Sequence, residues 1–339
     1  MNTTSFLGAL GLAFCACGPA FGATLDDIRE RGVLRCGVSA DLPGFSIKGG
    51  NDEWSGFDID YCRAVAAATL GDAKAVEFVS LGRDDTRFEA LTSGDVDLLS
   101  GDTTWRYGND AARDVDFVGV NYFDGQGFLV PRGHGITSAK ELEEATICVV
   151  AGGGAAAKLA EYFRTHNISH TPLVLATTAD AQRAYLAGDC LVYTNDASRL
   201  AATRATFEVP GDHILLPEVI SKEPLGPAVR QDDSGWADIA RWTLNALITA
   251  EELGITSTNV TELAASSELT GVRLFLGVDG DQGAALGLSS DWVRNVILSV
   301  GNYGEIFERN IGQTTPIGIA RGLNAQWKDG GLLYAVPFR

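Results

Sequence analysis

Two short loops carry most of the side chains in this sequence that could recognise a small polar molecule. The first runs from Gly101 to Asp110 and combines hydroxyls, carboxylates, two aromatic rings and Arg106. The second runs from Tyr193 to Ser198 and contains Asp196. Each loop follows a predicted strand, and ligands of open α/β sheets bind beyond the carboxyl ends of the strands. The two loops therefore predict a binding site in a cleft between them.

Motifs for catalysis, metal binding or nucleotide binding are weak in this sequence. The run Gly152-Gly153-Gly154 follows a predicted strand, but it lacks the ending of a phosphate-binding loop and the GxGxxG spacing of a dinucleotide site. His166 and His170 are four residues apart, yet the residues between them are typical of a helix end. No GxSxG nucleophile motif is present. These observations favour a protein that binds without catalysis, and we expect neither a cofactor nor a metal.

The net charge and the length of the chain narrow the choice of partners and domains. A formal net charge of −18 repels nucleic-acid phosphates and anionic lipid, so both are disfavoured as partners. A chain of 339 residues is too long for one typical core and is suited to two compact units.

The first 22 residues differ from the rest of the chain because none of them is charged. The apolar run from Phe6 to Cys17 has the length of the hydrophobic region of a secretory signal and is too short to span a membrane. Ala20-Phe21-Gly22 offers small residues at both key positions of a cleavage site. We therefore predict a cleaved signal peptide at 1–22. The alternative is a disordered or buried N-terminal segment.

Four cysteines remain after such a cleavage, namely Cys36, Cys62, Cys148 and Cys190. An even number in an exported chain suggests disulfides, and three connectivities are possible. The spacing favours Cys36–Cys62 and Cys148–Cys190, each local to one half of the chain. The alternative is four inert buried thiols.

Strands and helices alternate along the chain. The stretch GFDIDYCRAVAAATLGD predicts a helix that Asp58 or Asp60 caps, with Cys62 on the face toward the strand that holds Cys36. The segments RFEALTSGDVDLL and TTADAQRAYLAGDCLVY repeat one pattern of helix, glycine, aspartate and short strand. We therefore predict an α/β protein with two lobes, mostly parallel sheets and a cleft between the lobes.

Several long blocks resemble the periplasmic solute-binding proteins of polar amino-acid ABC transporters. The helix stretch above is one of them, and others are FVGVNYFDGQGF, LPEVISKEPLGPAVRQ and RGLNAQWKDGGLLYAVPFR. The general L-amino-acid-binding branch is similar to this chain from about Thr24 to Arg339.

The resemblance implies the two-lobed type II binding-protein fold, in which two hinge strands cross between the lobes. The crossings would fall near 123–127 and 224–226. Lobe one would comprise 23–125 and 226–339, and lobe two would comprise 126–225. Members of the family close their lobes on a small-molecule ligand and then dock on an inner-membrane permease. The resemblance therefore implies a periplasmic protein, and it also implies a monomer.

The resemblance also implies roles for individual residues. Relatives hold the ligand's α-carboxylate with an arginine that corresponds to Asn109 here, and with a threonine pair that corresponds to Gly153-Gly154. Near relatives have an asparagine at the position of Asp102. The aspartate that receives the ligand's amino group in relatives is retained here as Asp196. The predicted ligand-binding residues are Asp102, Thr103, Thr104, Trp105, Arg106, Asn109, Phe123, Gly153, Gly154 and Asp196.

Three other functions stay open at this point. If Arg106 replaces the missing arginine, the site still binds amino acids. Otherwise, as the first of the other functions, Asp102 and Asp196 with nearby aromatic rings could bind a cation that lacks an α-carboxylate. An enzyme on the same scaffold, similar to periplasmic dehydratases, would need a positioned acid, for which Asp102 is the candidate. A sensor that signals without delivering cargo is the third.

Overall fold

The structure, a computed structural model, describes residues 23–50, 52–82, 85–152 and 154–338. The predicted signal peptide at 1–22 and the predicted site residue Gly153 lie outside the described residues. Within these ranges the strands are β1 Leu34–Val38, β2 Asp41–Leu42, β3 Ser46–Lys48, β4 Trp54–Ser55, β5 Val76–Ser80, β6 Leu98–Leu99, β7 Val115–Phe117, β8 Tyr122–Asp124, β9 Gln126–Pro131, β10 Ala145–Val150, β11 His170–Leu175, β12 Val192–Asp196, β13 His213–Leu215, β14 Glu223–Leu225 and β15 Ala228–Arg230. The α-helices are α1 Ala23–Arg31, α2 Phe57–Leu70, α3 Thr86–Thr92, α4 Tyr107–Asp110, α5 Ala155–His166, α6 Thr178–Ala187, α7 Ala197–Ala205, α8 Ser234–Glu252, α9 Val260–Ser266, α10 Thr270–Phe275, α11 Trp292–Val300 and α12 Tyr303–Asn310. Short 3₁₀ helices are found at Arg132–His134, Ala139–Glu141, Pro210–Asp212, Ala284–Leu286, Gly322–Asn324 and Trp327–Asp329.

Lobe one is built around a five-stranded sheet in the order β5-β1-β6-β15-β7. β1 runs parallel to β5 and β6, whereas β15 runs antiparallel to β6 and β7. Its main core joins this sheet to α2, α8 and α11 through fully buried side chains such as Val65, Trp236 and Val296. Burial of these apolar faces is what stabilises the lobe.

Lobe two is built around a second five-stranded sheet in the order β11-β10-β12-β9-β13. β10 runs parallel to β11 and β12, whereas β9 runs antiparallel to β12 and β13. The repeated sequence pattern therefore has a structural counterpart, because β6 and β12 occupy the central position of their sheets. The prediction of a two-lobed α/β fold is confirmed.

Two strands link the lobes. β8 leads from lobe one into lobe two, β14 leads back, and the two pair antiparallel with Phe123 opposite Pro224. Asn324 binds this linker through two hydrogen bonds. Its side chain accepts one from the Phe123 amide at 2.7 Å and donates one to the Phe123 carbonyl at 3.1 Å. The exact domain bounds given above stay a prediction.

Helix α2 begins in a way that the sequence did not predict. Its N-cap is Gly56, without a side-chain cap, and neither Asp58 nor Asp60 fills that role. Gly56 has a φ of 134°, and a Cβ at this position would lie 2.1 Å from the carbonyl oxygen of Phe45, so only glycine fits. Both aspartates are buried, and Asp60 instead pairs with Arg309 on α12.

Both predicted disulfides are present. Cys36 of β1 is bonded to Cys62 of α2, and Cys148 of β10 is bonded to Cys190 just before β12. Each bond lies within one lobe, and among the described residues no disulfide crosses the cleft. No helix in the described ranges is long and apolar enough to cross a membrane.

Removing either disulfide is expected to destabilise the protein by about 3–4 kcal/mol, because each bond limits the entropy of the unfolded chain. The sequence separations are 26 residues for Cys36–Cys62 and 42 for Cys148–Cys190, so the second should have the slightly larger effect. Urea unfolding of the Cys36→Ser/Cys62→Ser and Cys148→Ser/Cys190→Ser variants measures this. Unchanged unfolding in both would contradict it.

Candidate functional site

The loop that follows β6 is joined to the linker strand β14. Thr104 forms a β-bridge with Leu225, the Trp105 amide donates to the Pro224 carbonyl at 2.7 Å, and the Gly226 amide donates to the Thr103 carbonyl at 3.1 Å. The loop is therefore held where the chain crosses between the lobes, at the end of the cleft.

A buried arginine supports the same loop from lobe one. Arg87 of α3 donates from Nη1 to the Gly101 carbonyl at 3.0 Å, to the Asp102 carbonyl at 3.2 Å and to the Thr103 hydroxyl at 2.9 Å. Its side chain is 3% exposed. Its charge thus lies in the protein interior beside the predicted ligand-binding loop.

The end of β12 carries the second half of the site. Residues 193–196, predicted as part of a loop, belong to this strand, and α7 begins directly after it. Asp196 is the last residue of this strand. Its backbone amide donates a hydrogen bond to Asn195 Oδ1 at 2.9 Å. Asp124 of β8 accepts hydrogen bonds from the amide and the hydroxyl of Ser198, which ties the first turn of α7 to the linker.

Gln126, at the start of β9, faces the same space. Its Nε2 donates to Thr194 Oγ1 at 3.1 Å and to the Ala155 carbonyl at 3.2 Å. The residue is 2% exposed, and within the described residues its Oε1 has no hydrogen-bond partner. A buried acceptor of this kind is costly unless a ligand or water satisfies it.

These elements line a cavity of about 320 Å³ between the lobes, which we call the first cavity. This volume is at the lower end of the range for small-molecule sites. Its lining is rich in charge of both signs. The lining residues are Asp85, Arg87, Phe88, Asp102, Thr103, Thr104, Arg106, Asn109, Gln126, Val150, Ala151, Gly152, Ala155, Lys158, Thr178, Asn195, Asp196 and Glu223.

The first cavity brings six of the ten predicted ligand-binding residues together, namely Asp102, Thr103, Thr104, Arg106, Asn109 and Asp196. Asn109 is buried and donates to the Thr104 carbonyl at 2.9 Å, so it braces the loop. Arg106 is exposed.

Three other predicted residues do not line this cavity. Trp105 stacks on Phe117 with ring centroids 5.6 Å apart, Gly154 precedes α5 with a φ of 83°, and Phe123 packs against the core of lobe one. The rings of Trp105 and Phe123 pack within lobe one, so neither lines the first cavity, and their contribution to ligand binding stays a prediction.

Two ion pairs neutralise part of the lining. Asp102 Oδ2 lies 2.7 Å from Arg199 Nη2 of α7, and the side chains are 1% and 3% exposed. Lys158 of α5 pairs with Glu223 of β14. Asp102 is thus engaged by a partner from the opposite lobe, which the sequence analysis did not foresee.

Comparison with known families agrees with this architecture. Residues 34–258 match the bacterial extracellular solute-binding proteins, family 3. The chain belongs to this family. The match spans both sheets and the linker strands, so the two-lobed architecture described above is that of a solute-binding protein.

Individual members of the solute-binding family are similar over the full chain. The glutamate/glutamine/aspartate/asparagine-binding protein BztA of Rhodobacter capsulatus is 49% identical, and the alignment covers 100% of both chains. The general L-amino acid-binding periplasmic protein AapJ of Rhizobium johnstonii is 48% identical, again over 100% of both. A solved ABC transporter periplasmic binding protein from Brucella ovis, with glutathione bound, is 49% identical, with a TM-score of 0.87 over 93% of this chain and 99% of that one.

Sequence reasoning missed several charged or polar residues of the site, among them Arg87, Gln126, Lys158 and Arg199. Arg199 stands one residue beyond the loop that drew attention, and Gln126 begins the otherwise apolar strand QGFLVP. The polar side chain at the start of this apolar strand could therefore have indicated Gln126 as a site residue. Arg87 and Lys158 sit in helices, where a charged residue is usually solvent-exposed.

Two buried carboxyls near the site hold their protons at unusually high pH. Burial, reinforced by the charge of Asp102, raises the pKa of Asp58 to about 7. Burial, reinforced by the charge of Asp196, raises the pKa of Asp124 to about 8. Both groups are therefore at least half protonated in the folded protein at neutral pH, whereas both ionise near pH 4 in an unfolded chain.

This difference makes the folded protein less stable as the pH rises from 7 to 9. The folded state binds more protons than the unfolded state in this window, so ionising Asp124 and the rest of Asp58 costs stability, about 1–2 kcal/mol in total. Urea unfolding at pH 7, 8 and 9 measures the slope. Asp124→Asn should remove most of it, the exposed Asp72→Asn should keep it, and a stability that rises with pH would contradict the assignment.

Proposed function

We propose that this solute-binding protein binds one zwitterionic amino acid, or a related amine-bearing small molecule, in the first cavity and delivers it to an ABC permease of the inner membrane. The observation that carries the proposal is the arrangement of charge in that cavity. Asp196 and Gln126, whose side-chain oxygens can accept from an ammonium group, line one cavity together with Arg87 and Arg106.

The ligand's ammonium group lies against Asp196 and Gln126 on the lobe-two side. Its carboxylate points toward Arg87 and Arg106 of lobe one. These two residues take the place of the arginine that relatives have at the position of Asn109. Each charged hydrogen bond contributes about 1.5–3 kcal/mol. Because the two ends of the ligand contact different lobes, binding favours closure around the linker of β8 and β14.

The mixed charge of the lining argues against a site for cations alone. Arg87 and Arg106 line the cavity together with Asp196, so a ligand that carries both charges is favoured over one that carries only positive charge. The ion pair with Arg199 also engages Asp102, on which both the cation and the enzyme alternatives depended. The relatives that match over the full chain are binding proteins.

The rest of the proposal follows the same relatives. The protein acts in the periplasm after loss of a signal peptide at 1–22, works as a monomer, and catalyses no reaction. The lobe bounds 23–125 with 226–339, and 126–225, are part of this proposal, with closure centred on the linker.

A thermal-shift screen tests the proposed function. The ligand-stripped protein is mixed with the twenty amino acids, glutathione, polyamines and betaines at millimolar concentration. A ligand at a thousand times its Kd stabilises the protein by about 4 kcal/mol and raises Tm by several degrees. We expect shifts with amino acids. Shifts with polyamines and betaines only, or with no compound in the panel, would overturn the proposal.

A further inference from the structure

Asp102 and Arg199 meet across the cleft from opposite lobes. Asp102 follows β6, Arg199 lies in α7, and their side chains are 2.7 Å apart and almost wholly buried. Exposed ion pairs are weak and changeable, but a pair that is shielded from water keeps its geometry, because separating the charges inside the protein is costly. The contact therefore joins the two lobes across the cleft.

Both partners are held in place from behind. Arg87 donates to the carbonyls of Gly101 and Asp102, and Asp102 adopts a φ of 48°, a left-handed conformation that aspartate tolerates better than most residues. On the other side, α7 is tied to the linker because Ser198 donates to Asp124. The backbone that carries each side chain is thus fixed by its neighbours.

A second cavity of about 260 Å³ lies on the Arg199 side of this pair. Lobe one supplies one wall and helices α6 and α7 of lobe two supply the other. Thr178 lines both cavities, whereas Asp102 lines only the first and Arg199 only the second. The ion pair thus stands between two adjoining spaces at the lobe interface. The residues around the second cavity are Asp41, Leu42, Pro43, Thr178, Ala179, Gln182, Arg199, Ala202, Thr203 and Thr206.

We propose that the Asp102–Arg199 pair is a wall that limits the ligand to the length of a single amino acid. The inference rests on the proposed function, since it places the ligand's ammonium on Asp196 and Gln126. Each further residue of an extended chain adds about 3.3–3.6 Å. A tripeptide anchored at that end is longer than one amino acid by about two such steps, and the wall bars it from the adjoining second cavity. Arg199 therefore determines specificity by exclusion.

The test removes both charges at once, so that neither is left buried without its partner. Calorimetric titrations compare glutamine and glutathione, which is a tripeptide, on the wild type and on the Asp102→Asn/Arg199→Ala variant. We expect the wild type to prefer glutamine. We expect the double variant to bind glutathione about tenfold or more tightly than the wild type does. The Asp279→Asn/Arg273→Ala variant is the matched control, because it removes an exposed ion pair of lobe one far from either cavity lining.

The outcomes separate this inference from the proposed function. If the wild type binds glutamine and a folded double variant keeps the wild-type preference, the wall is wrong while the proposed function stands. A wild type that binds glutathione more tightly than any amino acid also overturns the wall. If neither protein binds either probe or any other amino acid, the proposed function fails, and this inference fails with it.

Discussion

Asp196→Asn is expected to weaken the binding of an amino acid by about a hundredfold or more. Asp196 is the carboxylate that the proposed function assigns to the ligand's ammonium group, and it lines the first cavity. Removing one partner of an enclosed charged pair costs about 2–5 kcal/mol, and a hundredfold change in Kd corresponds to about 2.7 kcal/mol. Titration calorimetry with the amino acid that gives the largest thermal shift measures the change.

Asp189→Asn is the matched control for this prediction. Asp189 is an exposed carboxylate of the same lobe, it follows α6, and it does not line the first cavity. The control should bind as the wild type does. The assignment of the ammonium site to Asp196 would be wrong if Asp196→Asn and Asp189→Asn bound the ligand equally well.

Asp102→Asn is expected to destabilise the protein by about 3–5 kcal/mol. The substitution leaves the guanidinium group of Arg199, which is 3% exposed, without its charged partner in the interior. The protein can relieve that cost in part by opening the cleft, which returns Arg199 to water. We therefore expect a lower free energy of unfolding in urea, and a larger radius of gyration in small-angle scattering without ligand.

A second substitution distinguishes a stranded charge from a general loss of packing. Adding Arg199→Ala to Asp102→Asn removes the uncompensated charge and should restore much of the lost stability. Asp279→Asn, which breaks the exposed pair with Arg273, should leave the unfolding curve unchanged. Equal stability and equal compactness of Asp102→Asn and the wild type would show that the buried pair contributes nothing.

The fold could be predicted from local patterns because those patterns are strong in this chain. The alternation of helices and strands specified two α/β units, and the spacing of the four cysteines favoured the pairing that is observed. The repeat of helix, glycine, aspartate and strand predicted that β6 and β12 play equivalent parts. The exact start of α2 was not predictable, since it depends on how closely Gly56 approaches a distant backbone carbonyl.

The candidate site was predictable only on the side that the two loops supply. The loop after β6 and the end of β12 do line one cavity, and Asp196 is part of that lining. The partner of Asp102 was not predictable, because Arg199 comes 97 residues later and reaches it only when the two lobes meet. Trp105 looked available for a ligand because its pairing with Phe117 is likewise a tertiary contact.

The order of the strands along the chain has a consequence for how the protein is made. All strands of the second sheet, and both of its cysteines, come from one unbroken stretch between Gln126 and Leu215. The first sheet lacks β15 until after that stretch has been synthesised.

A chain that emerges from its N-terminus can therefore complete and oxidise the later lobe before the earlier one has all its strands. Cys36 and Cys62 are both synthesised before β15, the fourth strand of their sheet in sheet order. During synthesis, the lobe that appears first is thus the lobe whose sheet is completed last.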